Sequence, residues 1–247
     1  MLIINSDDFG YSNSINLATK EAFDKGLISS TTLLVNMEGY DSAIKMIKSN
    51  CVDKNNIGLH INLQEGIPIT KEIRNLNICD NSGAFNYSFR NNSHFFRDKE
   101  FIKIVKNEID SQIMKFKNDI NSLPTHVDSH DHSHTEFFML KILAETLLDH
   151  KIKFVRPTRN IGKIKFYKKL YKKLYHYFGT MYGLRFVDYF GAIQDFQNMN
   201  FLENKTYELE VHCMFKNNVL SDSGLSFDSK LFDNVKGMSL KSYQSIN

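Results

Sequence analysis

The amino-acid sequence predicts an α/β fold with a mostly parallel sheet covered by helices. Two observations predict it. Short β-type runs alternate along the chain with amphipathic helical runs, the pattern that buries parallel strands between helices. The 247 residues suit one large domain or two small ones, and since α/β barrels often reach this length as one domain, 1–247 is read as a single domain. Closure of the sheet into a barrel is a reasonable extension that periodicity alone does not establish.

Residues 2–5 are apolar and open the chain as a strand. Residues 14–25 read as a helix with Ile15, Ala18, Ala22 and Phe23 on one face and Gly26 as its stop. Residues 30–35, rich in Thr, Leu and Val, have a strand pattern. Asp41 is placed to cap a helix carrying Ala43, Ile44 and Ile47. Residues 57–63 read as the next strand, with Leu59, Ile61 and Leu63 on one side and Gly58, His60 and Asn62 on the other. The second face is small and polar, which favours a cavity wall.

Residues 66–97 read as a long irregular loop. Asp98 then caps an amphipathic helix bearing Phe101, Ile102, Val105, Ile109, Ile113 and Phe116. Next come a short strand at 125–129, a helix at 136–149 and a strand at 153–155, with later strands at 186–188 and 207–213. Residues 163–178 carry six lysines, with apolar residues at 167, 170, 171, 174 and 178 fitting one helical face. This segment reads as a surface helix with a solvated lysine face, or as a lid or docking site for an anionic substrate or surface.

Composition narrows the classes. Hydrophobic residues at 42% and charged residues at 24% are ordinary for a globular chain that builds its core without disulfides. Cys51, Cys79 and Cys213 are odd in number and lack CxxC spacing, which fits a reducing cytoplasm. A net charge of +3 is too small to indicate nucleic acid. The opening apolar run is too short for a signal peptide, and no stretch approaches the roughly 18 apolar residues of a membrane span.

Three places concentrate unusual residues, each where a strand should end. In Asn5-Ser6-Asp7-Asp8-Phe9-Gly10, two adjacent carboxylates stand after a buried strand and need a cation or a donor network to remain charged. One of them could instead cap the next helix, although Ser12 and Asn13 stand nearer its start. In Gly58-Leu59-His60, a lone histidine would ordinarily be a satisfied core residue, but its face is polar. In the run 125–134, four histidines and Asp128 all fall on even numbers and would project to one side of a continuing strand. One Asp and two His from different strand ends can supply three ligands to a divalent ion and leave positions open, the arrangement of a catalytic site. Mixed nitrogen and oxygen ligands suit zinc, manganese or cobalt, and magnesium where water fills the remaining positions. A second carboxylate beside the metal is placed to act as a general base.

Together these motifs resemble the YdjC-like carbohydrate deacetylases, which include chitooligosaccharide deacetylase. Asn5-Ser6-Asp7-Asp8-Phe9-Gly10 looks like the family's Asp-Asp-Phe-Gly motif, and the segment 26–32 with Asn36 resembles the family's stretch after the first helix. Gly58-Leu59-His60 with Glu65-Gly66-Ile67-Pro68, and the run 124–134, resemble its Gly-x-His, Gly-x-Pro and His-rich motifs. The resemblance implies a distorted (β/α) TIM-like barrel with one divalent metal, magnesium or zinc with manganese or cobalt as further fits, at the C-terminal strand ends. It implies Asp8, His60 and His130 as metal ligands and Asp7 as general base. Arg156 would hold Asp7 or substrate, and His132 and His134 are read as substrate-binding. His212 or a histidine of the 130–134 run would protonate the leaving amine. The implied reaction removes an N-acetyl group from a small chitin-type sugar, with phosphorylated forms open. Such proteins are commonly cytoplasmic and often homodimeric. One departure stands out. Where the family carries a late Met-Cys-His-Pro-like run, Met214 takes the aligned position and His212 lies two residues earlier, on the same strand face but about 6–7 Å away in depth. Two other readings remain: a metal-dependent phosphoesterase, which should need more carboxylates, and a non-catalytic sugar-binding descendant of the family.

Overall fold

The first strand is buried on both faces from Leu2 to Asp7, as parallel strands between helices are. In the computed structural model, which describes residues 1–87, 98–197 and 199–246, this strand sits at the middle of the sheet. The elements run β1 (Leu2–Phe9), α1 (Asn13–Asp24), β2 (Ser30–Leu33), α2 (Tyr40–Lys48), β3 (Ile57–Ile61), α3 (Lys99–Ile120), β4 (Val127–Ser129) and α4 (Phe137–Asp149). They continue with α5 (Phe166–Met181), β5 (Tyr189–Ala192), α6 (Ile193–Phe196), β6 (Tyr207–Val211), β7 (Cys213–Lys216), β8 (Val219–Asp222) and β9 (Leu225–Ser226).

Six strands form one parallel sheet in the order β4-β3-β2-β1-β6-β5. Single bridges carry it round. The Val127 N–H donates to the Phe154 carbonyl at 2.9 Å, and the Val155 N–H donates to the Arg185 carbonyl at 3.0 Å. The chain from Arg185 then leads into β5, which pairs with β6. The sheet therefore curls back on itself as a distorted TIM-like barrel, with β7–β9 forming a small antiparallel sheet just beyond β6. Among the described residues, no helix is long and apolar enough to cross a membrane.

Local chemistry sets the boundaries. Ser12 caps α1 through the Ile15 N–H, which leaves Asp7 and Asp8 free of that task. Asp98 caps α3 through the Phe101 N–H at 2.7 Å, and Asn121 ends that helix in the left-handed conformation. Several expectations need correction. Gly39, not Asp41, occupies the cap of α2, and Asp41 sits in the first turn near the positive helix end. Ile104 takes a buried place on α3, while Ile102 is exposed although it lies on the same side of the helix as buried Ile109, Ile113 and Ile120, because it sits in the first turn, at the end of the packed face. The strand expected at 186–188 begins only at Tyr189, since the Asp188 carboxylate accepts the N–H and hydroxyl of Thr206 and makes a turn there. Of the loop read at 66–97, residues 88–97 lie outside the described residues, and the rest contains a 3-10 turn at Glu72–Leu76.

Gly58 does not line a cavity. A Cβ built there would lie 2.5 Å from His126 Cε1 and 2.7 Å from the His126 carbonyl oxygen. The His126 ring cannot yield easily, being fully buried and stacked on Tyr243 at 3.7 Å. Gly58→Ala is expected to lower the unfolding free energy by about 1–3 kcal/mol through overpacking. Urea melts would show a reduced midpoint at constant slope, and an unchanged midpoint would mean the strand can shift.

Candidate active site

Asp8, His60 and His130 meet at the C-terminal ends of β1, β3 and β4, with ligand atoms all within 4.8 Å of one another. The β1 register shifts between Ser6 and Phe9, and Asp8 adopts φ +67°, a left-handed conformation that aspartate tolerates better than most residues. That kink turns its carboxylate to both imidazoles: Oδ1 is 3.3 Å from His60 Nε2 and 3.0 Å from His130 Nδ1. Ligand atoms about 2.0–2.2 Å from one ion stand roughly 3.0–3.5 Å apart, so these separations suit a shared cation.

β3 pairs with β4 so that His60 lies across from Asp128. Asp128 Oδ1 is 2.6 Å from His60 Nδ1, and Thr32 donates its hydroxyl to Asp128 Oδ2 at 3.0 Å. With its Nδ1–H given to a carboxylate, His60 presents Nε2 toward Asp8, the arrangement that orients a ligating imidazole. Burial pushes His60 down, but Asp128 and then Asp8 and Asp7 lift it well above its ordinary value. Burial likewise raises Asp8, yet hydrogen bonds from His130 and His60 hold its carboxyl well below the usual range. The site thus holds positive charge between carboxylates, a demand that a divalent ion also meets.

The expectation that four histidines share one strand face is corrected. The strand ends at Ser129, and Asp131 and His132 take φ of 50° and 54°, which reverses the chain. His130 alone of the four reaches Asp8. His132 turns to the cavity wall, with Nε2 3.5 Å from Glu210 Oε1. His134 is fully buried, its Nδ1 2.7 Å from the Ser129 hydroxyl, and His126 lies beneath the site against Tyr243. Burial drives both well below the usual histidine range, so both are neutral.

Behind Asp8, Arg156 is fully enclosed. Its Nη1 and Nη2 donate to the two oxygens of Asp7 at 2.5 and 2.6 Å, Nη1 also reaches Asp128 at 2.9 Å, and Nε donates to Glu208 at 2.7 Å. Of the two roles read for it, the geometry places it on Asp7, with no face toward a cavity. Burial raises Asp7, but Arg156 outweighs it and holds the carboxyl well below the usual range. Glu208 also accepts from Tyr243 at 2.5 Å, and its carboxyl is pushed up to about 7 by burial, against the opposing charge of Arg156.

His212 comes directly after β6, and its N–H donates to Asp222 at 2.9 Å. Its ligand atom lies within 4.8 Å of those of Asp7 and Glu210, so the two-residue step does not remove it from the site. Glu210 Oε1 is 3.6 Å from His212 Nε2, and burial, then the charge of Asp7, pushes the Glu210 carboxyl up to about 7. A cavity of about 750 Å³ opens beside this group, lined by His132, Glu210 and His212 and also by Lys163, Lys165 and Lys168. Neither Glu208 nor Glu210 stands out in the sequence. The signal is there: 208, 210 and 212 alternate as polar residues in an otherwise apolar strand, which puts all three on one face.

A family model described as YdjC-like protein matches residues 1–229. Among relatives described as carbohydrate deacetylases, one from Clostridium beijerinckii is 35% identical over 166 residues, 67% of this chain and 63% of the relative. One from Brevibacillus brevis is 32% identical over 151 residues, 61% of this chain and 57% of the relative. One from Halalkalibacterium halodurans is 28% identical over 233 residues, 85% of this chain and 94% of the relative. The chain thus spans less than two thirds of the length of the first two. The fold is shared with an Enterococcus faecalis V583 protein whose crystal structure is described as that of a putative cellobiose-phosphate cleavage protein, at a TM-score of 0.71 and 21% identity, covering 99% of this chain and 97% of that one.

Proposed function

The chain belongs to the YdjC-like family, and on that premise we propose that it is a metal-dependent carbohydrate deacetylase that hydrolyses the N-acetyl group of a small acetylated amino sugar or chitooligosaccharide. The observation that carries this reading is the convergence of Asp8, His60 and His130 on one point, with Asp7 and the Glu210–His212 pair beside it. Held by those three residues, a divalent ion, magnesium or zinc with manganese or cobalt as alternatives, supplies Lewis acidity and stabilises developing negative charge. Asp128 fixes the His60 tautomer. Asp7, held below the usual carboxylate range by Arg156, is placed to accept the proton of the attacking water. Arg156 fixes its orientation at some loss of basicity. The Glu210–His212 pair holds a proton for the departing amine. Lys163, Lys165 and Lys168 bring positive charge to the cavity lining, which suits a phosphorylated sugar.

The direct test is acetate release from N,N'-diacetylchitobiose and its 6-phosphate, with and without chelator. Release that needs a divalent ion is expected. No metal-dependent release from any acetylated amino sugar would remove the reading.

The proton-donor role has its own signature. A carboxyl raised to about 7 is protonated below that pH and loses its proton as pH climbs through it. We expect kcat to decline above about pH 7, and Glu210→Gln to lower it by roughly 10²–10³ and to abolish that limb. A Glu210→Gln enzyme with an unaltered pH profile would assign the proton to another group.

A further inference from the structure

We infer that α5 is an interfacial anchor that lays its outer face on an anionic lipid surface. The inference stands independently of the deacetylase reading. The sequence groups residues 167, 170, 171, 174 and 178 on one helical face, but the structure splits that group: Tyr171 and Phe178 turn inward, while Tyr167, Leu170 and Leu174 are exposed. Tyr175 donates its hydroxyl to the His134 carbonyl at 2.6 Å and Tyr171 donates to the Thr135 carbonyl at 2.8 Å. Gly179 lies against the Phe186 ring, where a Cβ would come within 2.5 Å. Tyr171, Tyr175 and Gly179 therefore mark the inner face.

The opposite face is apolar and open. Phe166, Tyr167, Leu170, Leu174, Tyr177 and Met181 are exposed, from 44% at Leu174 to 84% at Phe166. At about 100° per residue these six side chains fall within a single arc of roughly 100° that contains no charged residue. Together they form an apolar patch along a helix of about 24 Å, the kind of exposed surface, rimmed by polar residues, that marks an interaction site. The charge is equally one-sided. Residues 163–182 contain six lysines and no aspartate or glutamate. Lys169 and Lys173 border the apolar arc and are themselves exposed.

Aromatic and aliphatic residues in one arc with lysines at its margin are the composition of helices that lie in the plane of a bilayer surface. Anionic headgroups attract such lysines. The charge pattern opposes a second copy as the occupant. Antiparallel pairing of α5 with itself would set Lys169 and Lys173 against their own mates, with no acid on the helix to offset them. At 16 residues, four of them lysine, the helix is too short and too charged to cross a bilayer, so the contact is lateral.

The test is sedimentation of the full chain with phosphatidylcholine vesicles and with vesicles of equal parts phosphatidylcholine and phosphatidylglycerol. Binding is expected to be at least about tenfold tighter to the anionic vesicles and to weaken as salt is raised. The doubly substituted Leu170→Glu/Leu174→Glu chain should no longer bind, while its circular dichroism and thermal midpoint stay at wild-type values because both positions are exposed. Lys169→Glu/Lys173→Glu should weaken binding to anionic vesicles selectively. Absence of wild-type binding to anionic vesicles overturns the inference, as does binding that survives the leucine substitutions. A wild-type dimer in solution that the leucine substitutions dissolve, without any vesicle binding, would give the face to a second copy instead.

Discussion

Asp8→Asn is expected to lower acetate release at saturating substrate by roughly 10³-fold or more while leaving the fold intact. Among the described residues, Asp8 is the one carboxylate that meets both imidazoles, at 3.0 and 3.3 Å. An amide at that position keeps the shape and discards the charge that binds a cation. The neighbouring substitutions should be graded. His130→Ala removes a proposed ligand outright and should match Asp8→Asn. Asp128→Asn leaves all three proposed ligands in place but loosens the 2.6 Å contact that orients His60, for which a loss of about 10–100-fold in metal affinity or activity is expected. Steady-state kinetics with measured metal content checks the series. Equal effects at Asp8 and Asp128, or full activity in Asp8→Asn, would contradict the assignment.

The largest stability effect should come from Arg156→Met, a loss of about 3–5 kcal/mol. One fully buried guanidinium serves Asp7, Asp128 and Glu208, all of them buried. Removing it leaves three enclosed carboxylates without their counter-charge. Arg156→Lys should recover only part of the loss, since a single ammonium cannot reproduce the two-pronged contact with Asp7 and the separate Nε bond to Glu208. The pH dependence comes from the direction of each shift. Asp7 is depressed in the folded state, so its contribution is present above the unfolded carboxyl value of about 3.9 and fades as pH falls below it. Glu208 is raised to about 7, so it opposes folding increasingly as pH rises from its ordinary 4.5 toward 7. Without Arg156 both carboxylates are harder to ionise, and the variant should lose least stability in mild acid. Urea unfolding at pH 5 and pH 8 measures this. A loss equal at the two pH values would mean that packing rather than charge sets the effect.

The parts legible in sequence are those governed by short-range pattern. Strand–helix alternation points to the parallel sheet, and Asp8, His60 and His130 each stand out at a strand end. What the sequence hides depends on pairing between distant segments. Asp128 is visible as part of a cluster, but its contact with His60 exists only because β3 and β4 pair in one register. Arg156 and Glu208 meet across the barrel interior, 52 residues apart in the chain. The even-numbered histidines mislead because their alternation assumes an extended backbone, and two left-handed residues, Asp131 and His132, break it. The packing face of α5 is ambiguous in sequence because its apolar residues spread over more than one face, and only the contacts of Tyr171, Tyr175 and Gly179 decide which one turns inward.

Anomalous scattering from crystals grown with manganese or zinc tests the central claim most directly. One strong peak is predicted about 2.0–2.2 Å from a carboxylate oxygen of Asp8, from His60 Nε2 and from the His130 imidazole. A peak elsewhere, or none at that point with the ion in excess, would contradict it.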